Sequence, residues 1–168
     1  MNSEGSFVVA RFGRPAYAVA LYLVFHALLS VASASWPLDF GSVIWRYGME
    51  STLSSFLTPT LLALLIGAAA ASGLRHPTVA RAVGWLAGLS ALVWAALSID
   101  FGLCGLQVRR QVTEDNVSAL KVAVARGCVL YVVAAVIAAW LALESFRSAR
   151  RLNELHPEDE TAHPLVSI

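Results

Sequence analysis

The sequence predicts an all-α integral membrane protein, a bundle of four transmembrane helices with a short interfacial helix between the first and the second. The first reason is composition. Of the 168 residues, 58% are hydrophobic and 14% are charged, against roughly 45–50% and 25% in soluble domains. The second reason is spacing, because the apolar residues form four runs of about 20 residues, the length a helix needs to cross a bilayer.

The first two spans are separated by a longer, mixed segment. We expect the first span over residues 16–34, directly after Pro15, because proline favours the first turn of a helix. The second span is expected over residues 53–73. The segment 36–55 mixes aromatic and charged residues, as at a membrane interface. It predicts a short helix on the outer surface that turns into the second span near Pro59.

The third and fourth spans are expected over residues 79–103 and 122–143. A tight turn precedes the third span, since Gly73 can cap the second helix and Pro77 can begin the next one. The resulting organisation is an N-terminal segment (1–14), a four-helix transmembrane domain (15–152) and a flexible tail (153–168).

The distribution of Lys and Arg predicts the orientation. Seven lie on the side that holds both termini and the short turn: Arg11, Arg14, Arg75, Arg81, Arg147, Arg150 and Arg151. Five lie on the other side: Arg46, Arg109, Arg110, Lys121 and Arg126. Because positive charge is retained on the cytoplasmic side, both termini are predicted to be cytoplasmic, in a multi-pass protein of a bacterial inner membrane.

Several functional classes are disfavoured. The net charge of +1 leaves no basic stripe for nucleic acid. No carboxylate pair, Ser-His-Asp set or cluster of metal ligands stands out in the spans, so we predict a protein that is not an enzyme and holds no metal. Cys104 and Cys128 are both expected toward the outer face, either as two free thiols or as a disulfide.

Ionisable residues within spans are candidates for function, because lipid makes them costly. His26 could ligate the magnesium of a chlorophyll-type pigment, or it could be a neutral histidine that bonds within the bundle. A membrane redox protein or quinone-binding enzyme that uses His26 is the alternative. Asp100 and Arg126 are expected to form an ion pair or to reach the membrane interface. A third possible function for the protein is that of a small oligomeric transporter.

Small residues in the spans predict close helix packing. Gly84 and Gly88 form a GxxxG step in the third span, and Gly67 to Ala71 act similarly in the second. Large aromatic residues accompany them, and grooves between the two suit lipid tails or carotenoids. The predicted cofactor contacts are His26, Phe25, Tyr22, Trp85, Trp94 and Trp140.

The stretches Pro37-Leu38-Asp39, Trp45-Arg46 and Pro59-Thr60-Leu61-Leu62 resemble the HpsJ-like four-span membrane proteins of cyanobacteria, over residues 15–75. The resemblance implies a small accessory protein of a photosynthetic or related membrane, and it carries over no catalytic residue. The expected function is therefore a non-catalytic accessory subunit that packs against other integral membrane subunits of a complex such as a photosynthetic reaction centre. It would bind carotenoid or lipid, with chlorophyll also allowed.

Overall fold

The computed structural model describes residues 3–113 and 116–154, with side chains described from residue 15 onward. The described chain consists of five helices: α1 (Ser3–Ser35), α2 (Val43–Ser55), α3 (Leu57–Gly73), α4 (Pro77–Val108) and α5 (Val117–Glu154). No strand occurs within these ranges. Four helical stretches are long and apolar enough to cross a membrane, so the predicted all-α, four-span, multi-pass membrane protein is confirmed. Residues 155–168 of the predicted tail lie outside the described residues.

α1 begins earlier than the sequence predicts. Pro15 opens the apolar span, but it lies inside a helix that starts at Ser3. Proline lacks an N–H and its ring crowds the carbonyl of Arg11, so the helix loses one backbone bond there, while the backbone angle of proline is already helical. The boundary expected at residue 15 is therefore a boundary of hydropathy and not of secondary structure.

A helix does precede the second span, and a kink joins the two. Ser42 caps α2, where its hydroxyl accepts a hydrogen bond from the Trp45 N–H at 3.2 Å. The kink falls at Phe56, between α2 and α3. Pro59 explains it, because proline cannot donate to the carbonyl of Ser55 and crowds it. α2 packs against α4 and α5 as well as α3. It is thus part of the bundle, and its depth in the membrane stays a prediction.

The turn between α3 and α4 depends on a residue that the sequence did not single out. Gly73 is the last residue of α3 and not the left-handed cap. Arg75 takes that conformation instead, with φ 55°. The His76 N–H then donates to the Ala71 carbonyl at 2.9 Å, which is the Schellman pattern. Pro77 begins α4, as predicted.

We expect Arg75→Gly to stabilise the protein by about 1 kcal/mol, because a left-handed residue with a β-carbon costs roughly 1–2 kcal/mol. The gain is reduced by the greater chain entropy of glycine in the unfolded state. Arg75→Ala is the matched control, since it removes the same charge but keeps the β-carbon. Thermal unfolding in detergent should show a higher melting temperature for Arg75→Gly than for Arg75→Ala. Equal melting temperatures would contradict this account.

α4 and α5 form the central pair of the bundle. Their buried residues recur at alternating steps of about three and four, the pattern of knobs-into-holes packing. On α4 they include Ala80, Gly84, Ala87, Ala91, Trp94 and Phe101. On α5 they include Gly127, Tyr131, Ala134, Ala138, Leu141, Ser145 and Ala149. Most are small, so the two backbones approach closely, which favours association where lipid supplies no hydrophobic drive.

The four predicted packing residues all lie near other helices. A β-carbon on Gly84 would stand 3.1 Å from the Phe146 ring, and one on Gly67 would stand 3.4 Å from Val83. Gly88 has more room, with Ala142 at 3.9 Å from such an atom. Ala71 is fully buried, in a small cluster with α4 and α5 residues.

α1 is attached along one flank only. Within the described part of the chain it packs against α3 and α2 and makes no close backbone approach to α4 or α5. Since α3 lies between α1 and α4, a cleft remains along the bundle with α3 as its floor. Two cavities lie along this cleft.

Candidate functional site

The cleft contains two cavities, which together we call the α1–α4 groove. The larger has a volume of about 290 Å³, close to the lower end of roughly 300–1,000 Å³ for ligand pockets. Residues of three helices line it: Tyr17, Ala20, Leu21, Val24, Ala63, Leu64, Gly67, Val79, Ala82, Val83 and Leu86. Its small residues, on α1, α3 and α4, leave the space that larger side chains would fill.

The second cavity continues the first along α1. It measures about 180 Å³ and is lined by Val24, Ala27, Leu28, Val31, Leu53, Phe56, Leu57, Thr60, Val93, Trp94, Leu97 and Tyr131. Val24 borders both cavities. Together they extend from residue 17 to residue 31 of α1, a length of about 21 Å at the rise of an α-helix. The groove is therefore long and narrow.

The hydroxyl groups along the groove already have partners. The Thr60 hydroxyl donates to the Phe56 carbonyl at 2.8 Å. The Tyr131 hydroxyl donates to the backbone carbonyl of Glu50. At the other end, the Tyr17 hydroxyl lies 3.3 Å from Nδ1 of His76. Because these groups are satisfied internally, the groove suits a hydrocarbon chain better than a polar ligand.

The structure does not gather the six predicted cofactor contacts into one place. Trp94, 8% exposed, lines the second cavity. Four other aromatic rings point outward, with exposed fractions between 58% and 73%: Tyr22, Phe25, Trp85 and Trp140. His26 is also exposed and lies beside Tyr22, with ring centroids 5.9 Å apart. Pigment contacts at these five positions stay predictions.

Asp100 and Arg126 do not form an ion pair, which was one of the two arrangements expected of them. Among the described residues the only ion pair joins Arg147 to Glu144 on α5. Cys104 and Cys128 are both free thiols. Of the two arrangements that the sequence allows, free thiols or a disulfide, the structure has the first. Asp100 lies instead near Glu50 of α2, and one of its carboxylate oxygens is within 4.8 Å of the Cys104 sulfur.

Glu50 is the functional candidate that the sequence analysis missed. It is only 4% exposed, although it lies in a chain segment rich in polar residues. The Cys104 thiol faces its Oε1 at 3.8 Å, while its Oε2 is buried without a hydrogen-bond partner. A buried carboxylate without a partner is costly, and such groups within membrane bundles mark functional sites by default.

Arg46 lies one helical turn before Glu50 on α2, on the same face. Its Nη2 donates to Gln107 at 3.2 Å, and its Nε is buried without a partner. The i, i+4 spacing of Arg46 and Glu50 was a usable signal. It was missed because the helix was expected on the outer surface, where charges are unremarkable.

The comparisons with known proteins leave the site to be interpreted from its geometry. No protein-family model, no curated protein and no solved structure matches the chain. The chain is therefore assigned as a four-span α-helical membrane protein on its own sequence and structure.

Proposed function

We propose that this chain is a non-catalytic accessory subunit of a larger membrane complex and that its α1–α4 groove holds an elongated hydrocarbon chain. The bound hydrocarbon is part of a carotenoid or of a lipid, since both contain a long apolar chain. A photosynthetic reaction centre is the complex to which the resemblance in residues 15–75 points. The partners are other integral membrane subunits, and chlorophyll is a further pigment that His26 would ligate.

The shape and polarity of the groove carry the proposal. A length of about 21 Å along α1 suits a chain molecule, and the lining side chains are almost all aliphatic or aromatic. The internal bonds of Thr60 and Tyr131 leave no free donor that a polar ligand would need. Lipid-soluble chains satisfy such a surface without any desolvation cost.

The single-flank attachment of α1 supports the accessory role. In its span, only 6% of the residues are buried within the chain. Much of its surface therefore remains for lipid, pigment or a neighbouring subunit. Exposed apolar area of this kind is expected at sites of assembly as well as against lipid.

The orientation is part of the proposal. Four spans place the two ends of the chain on one side of the membrane, and the excess of Lys and Arg there supports the cytoplasmic side of a bacterial inner membrane. The redox alternative is less well supported, because His26 lies outside both cavities.

Ala82→Phe tests the groove. Ala82 is exposed and lines the larger cavity, so a phenyl ring there would occupy the space of the ligand without entering the core. We expect wild-type protein, purified gently from its native membrane, to carry hydrocarbon in a fixed ratio, and Ala82→Phe to lose most of it. Absorption spectra and mass spectrometry of solvent extracts distinguish carotenoid from lipid.

Ala95→Phe is the matched control, because Ala95 is an exposed residue of the same helix that lines neither cavity. It should retain the wild-type amount of ligand. If chlorophyll is also present, His26→Leu should remove it and spare the groove ligand. A wild-type protein that elutes alone, at 17.9 kDa plus detergent and without bound hydrocarbon, would overturn the proposal.

A further inference from the structure

A polar site lies between α2 and α4, and none of its three residues lines the apolar groove. One donor atom each from Glu50, Asp100 and Cys104 lies within 4.8 Å of the other two. Glu50 comes from α2, and the other two come from adjacent turns of α4. Three different side chains of metal-binding type thus converge from two helices at one point.

The buried carboxylate is the observation that points to a ligand. Glu50 is 96% buried, since its exposed fraction is 4%, and its Oε2 has no hydrogen-bond partner. Arg46 forms no ion pair with it, because the guanidinium bonds to Gln107. A carboxylate in this position is costly to ionise unless a cation lies in contact with it.

We propose that Glu50, Asp100 and Cys104 bind a Zn²⁺ ion that joins α2 to α4. Two carboxylate oxygens and one thiolate suit Zn²⁺, whereas Mg²⁺ and Ca²⁺ select oxygen ligands alone. In a tetrahedral zinc site, donors lie about 2.0–2.3 Å from the metal and hence roughly 3.5 Å apart. The exposed side chain of Asp100 can rotate to close the remaining distance, and water completes the fourth position.

The charges of the surroundings fit a divalent ion. Two carboxylates and a thiolate carry three negative charges, and Zn²⁺ cancels two of them. The guanidinium of Arg46, one turn from Glu50 on α2, supplies the remaining positive charge. The filled site is then neutral as a whole, which is the condition for burying ions at low cost.

Co²⁺ is the probe, because it replaces Zn²⁺ in tetrahedral sites and reports on its ligands by colour. We expect the full chain in detergent, with its thiols reduced, to bind Co²⁺ with a thiolate-to-metal charge-transfer band that Zn²⁺ displaces. Cys104→Ser should abolish the band. Asp100→Asn should weaken Co²⁺ binding by about tenfold or more, as loss of a direct ligand exceeds loss of an outer-shell partner.

Matched controls separate ligation from folding. Cys128→Ser removes the other thiol, which bonds to the Ser98 carbonyl at 3.5 Å, and Glu144→Gln removes a carboxylate outside the site. Both should bind Co²⁺ as the wild type does. Zn²⁺ should also raise the melting temperature of the wild type by mass action, and not that of Asp100→Asn, an exposed position where the variant should fold.

Two outcomes would overturn the proposed zinc site. One is a wild-type protein without a Co²⁺ band and without a Zn²⁺-dependent melting temperature. The other is a band that survives Cys104→Ser and disappears in Cys128→Ser. Neither outcome affects the groove proposal, since none of the three ligands lines either cavity of the groove.

Discussion

Gly127→Ala is expected to be the most destabilising single-methyl change in the described part of the chain. A β-carbon on Gly127 would overlap the Phe101 ring. That ring is 2% exposed and stacks on Tyr47, with centroids 5.2 Å apart, so it has little room to move. Overpacking of this kind costs about 1–3 kcal/mol, more than the gain of up to about 1 kcal/mol from replacing a helical glycine.

Thermal unfolding of purified protein in one detergent measures this effect as a lower melting temperature. Gly102→Ala is the control, because its added β-carbon would meet the Cys128 sulfur at 3.7 Å, an ordinary contact. It should unfold at or above the wild-type temperature. Phe101→Leu should recover part of the loss when combined with Gly127→Ala. If Gly127→Ala unfolds like Gly102→Ala, the close approach of α4 and α5 at this level is wrong.

Tyr131→Ala should cost about 3–5 kcal/mol, the range for removal of a large aromatic ring from a core. Among the residues whose burial the structure describes, Tyr131 has the largest fully buried side chain, and it packs edge-on against Phe101, with centroids 6.2 Å apart. Its hydroxyl also ties α5 to α2 through the Glu50 carbonyl. Tyr131→Phe keeps the ring and loses only this hydrogen bond, so it should lower the free energy of unfolding by about 0.5–1.5 kcal/mol.

The ranking of the melting temperatures of three variants tests whether Tyr131 lies in the core. Tyr131→Ala should have the lowest melting temperature, Tyr131→Phe should lie between it and the wild type, and Tyr22→Ala should match the wild type. Tyr22 is the comparison because it also lies in a membrane span, but its side chain is 64% exposed. A Tyr131→Ala protein as stable as Tyr22→Ala would show that Tyr131 does not lie in the core.

The number and order of the spans could be predicted because each depends on local sequence. An apolar run of sufficient length must be helical in lipid, where every backbone group has to bond within its own segment. The start at Pro77 and the kink near Pro59 follow from the missing N–H of proline in the same direct way.

The main helix interface could be predicted only in part. The GxxxG step of α4 drew attention to Gly84 and Gly88, but the buried positions alternate between steps of three and four, which leaves Ala95 exposed. The matching row of small residues on α5 includes Ala134 and Ala138. A sequence rich in alanine offers several such rows on each helix, and the partner helix decides which one is used.

The α1–α4 groove and the Glu50 site could not be predicted from the sequence. The groove exists because α1 packs on α3 without closing onto α4, and nothing local to α1 encodes that gap. Glu50 and Cys104, which meet at this site, are 54 positions apart in the sequence. Their proximity depends on α2 packing against α4, which the local sequence of α2 does not encode.

By itself, the sequence determined that this protein is a four-span α-helical membrane protein, because hydropathy and proline act on each segment separately. The tertiary structure alone decided which residues meet. It turned four predicted aromatic contacts outward, left Trp94 at the groove, and brought a buried carboxylate to a thiol. The physical reason is that in lipid the helices are all apolar, so their pairing follows the fit of side chains across each interface and not the hydrophobicity of any one helix.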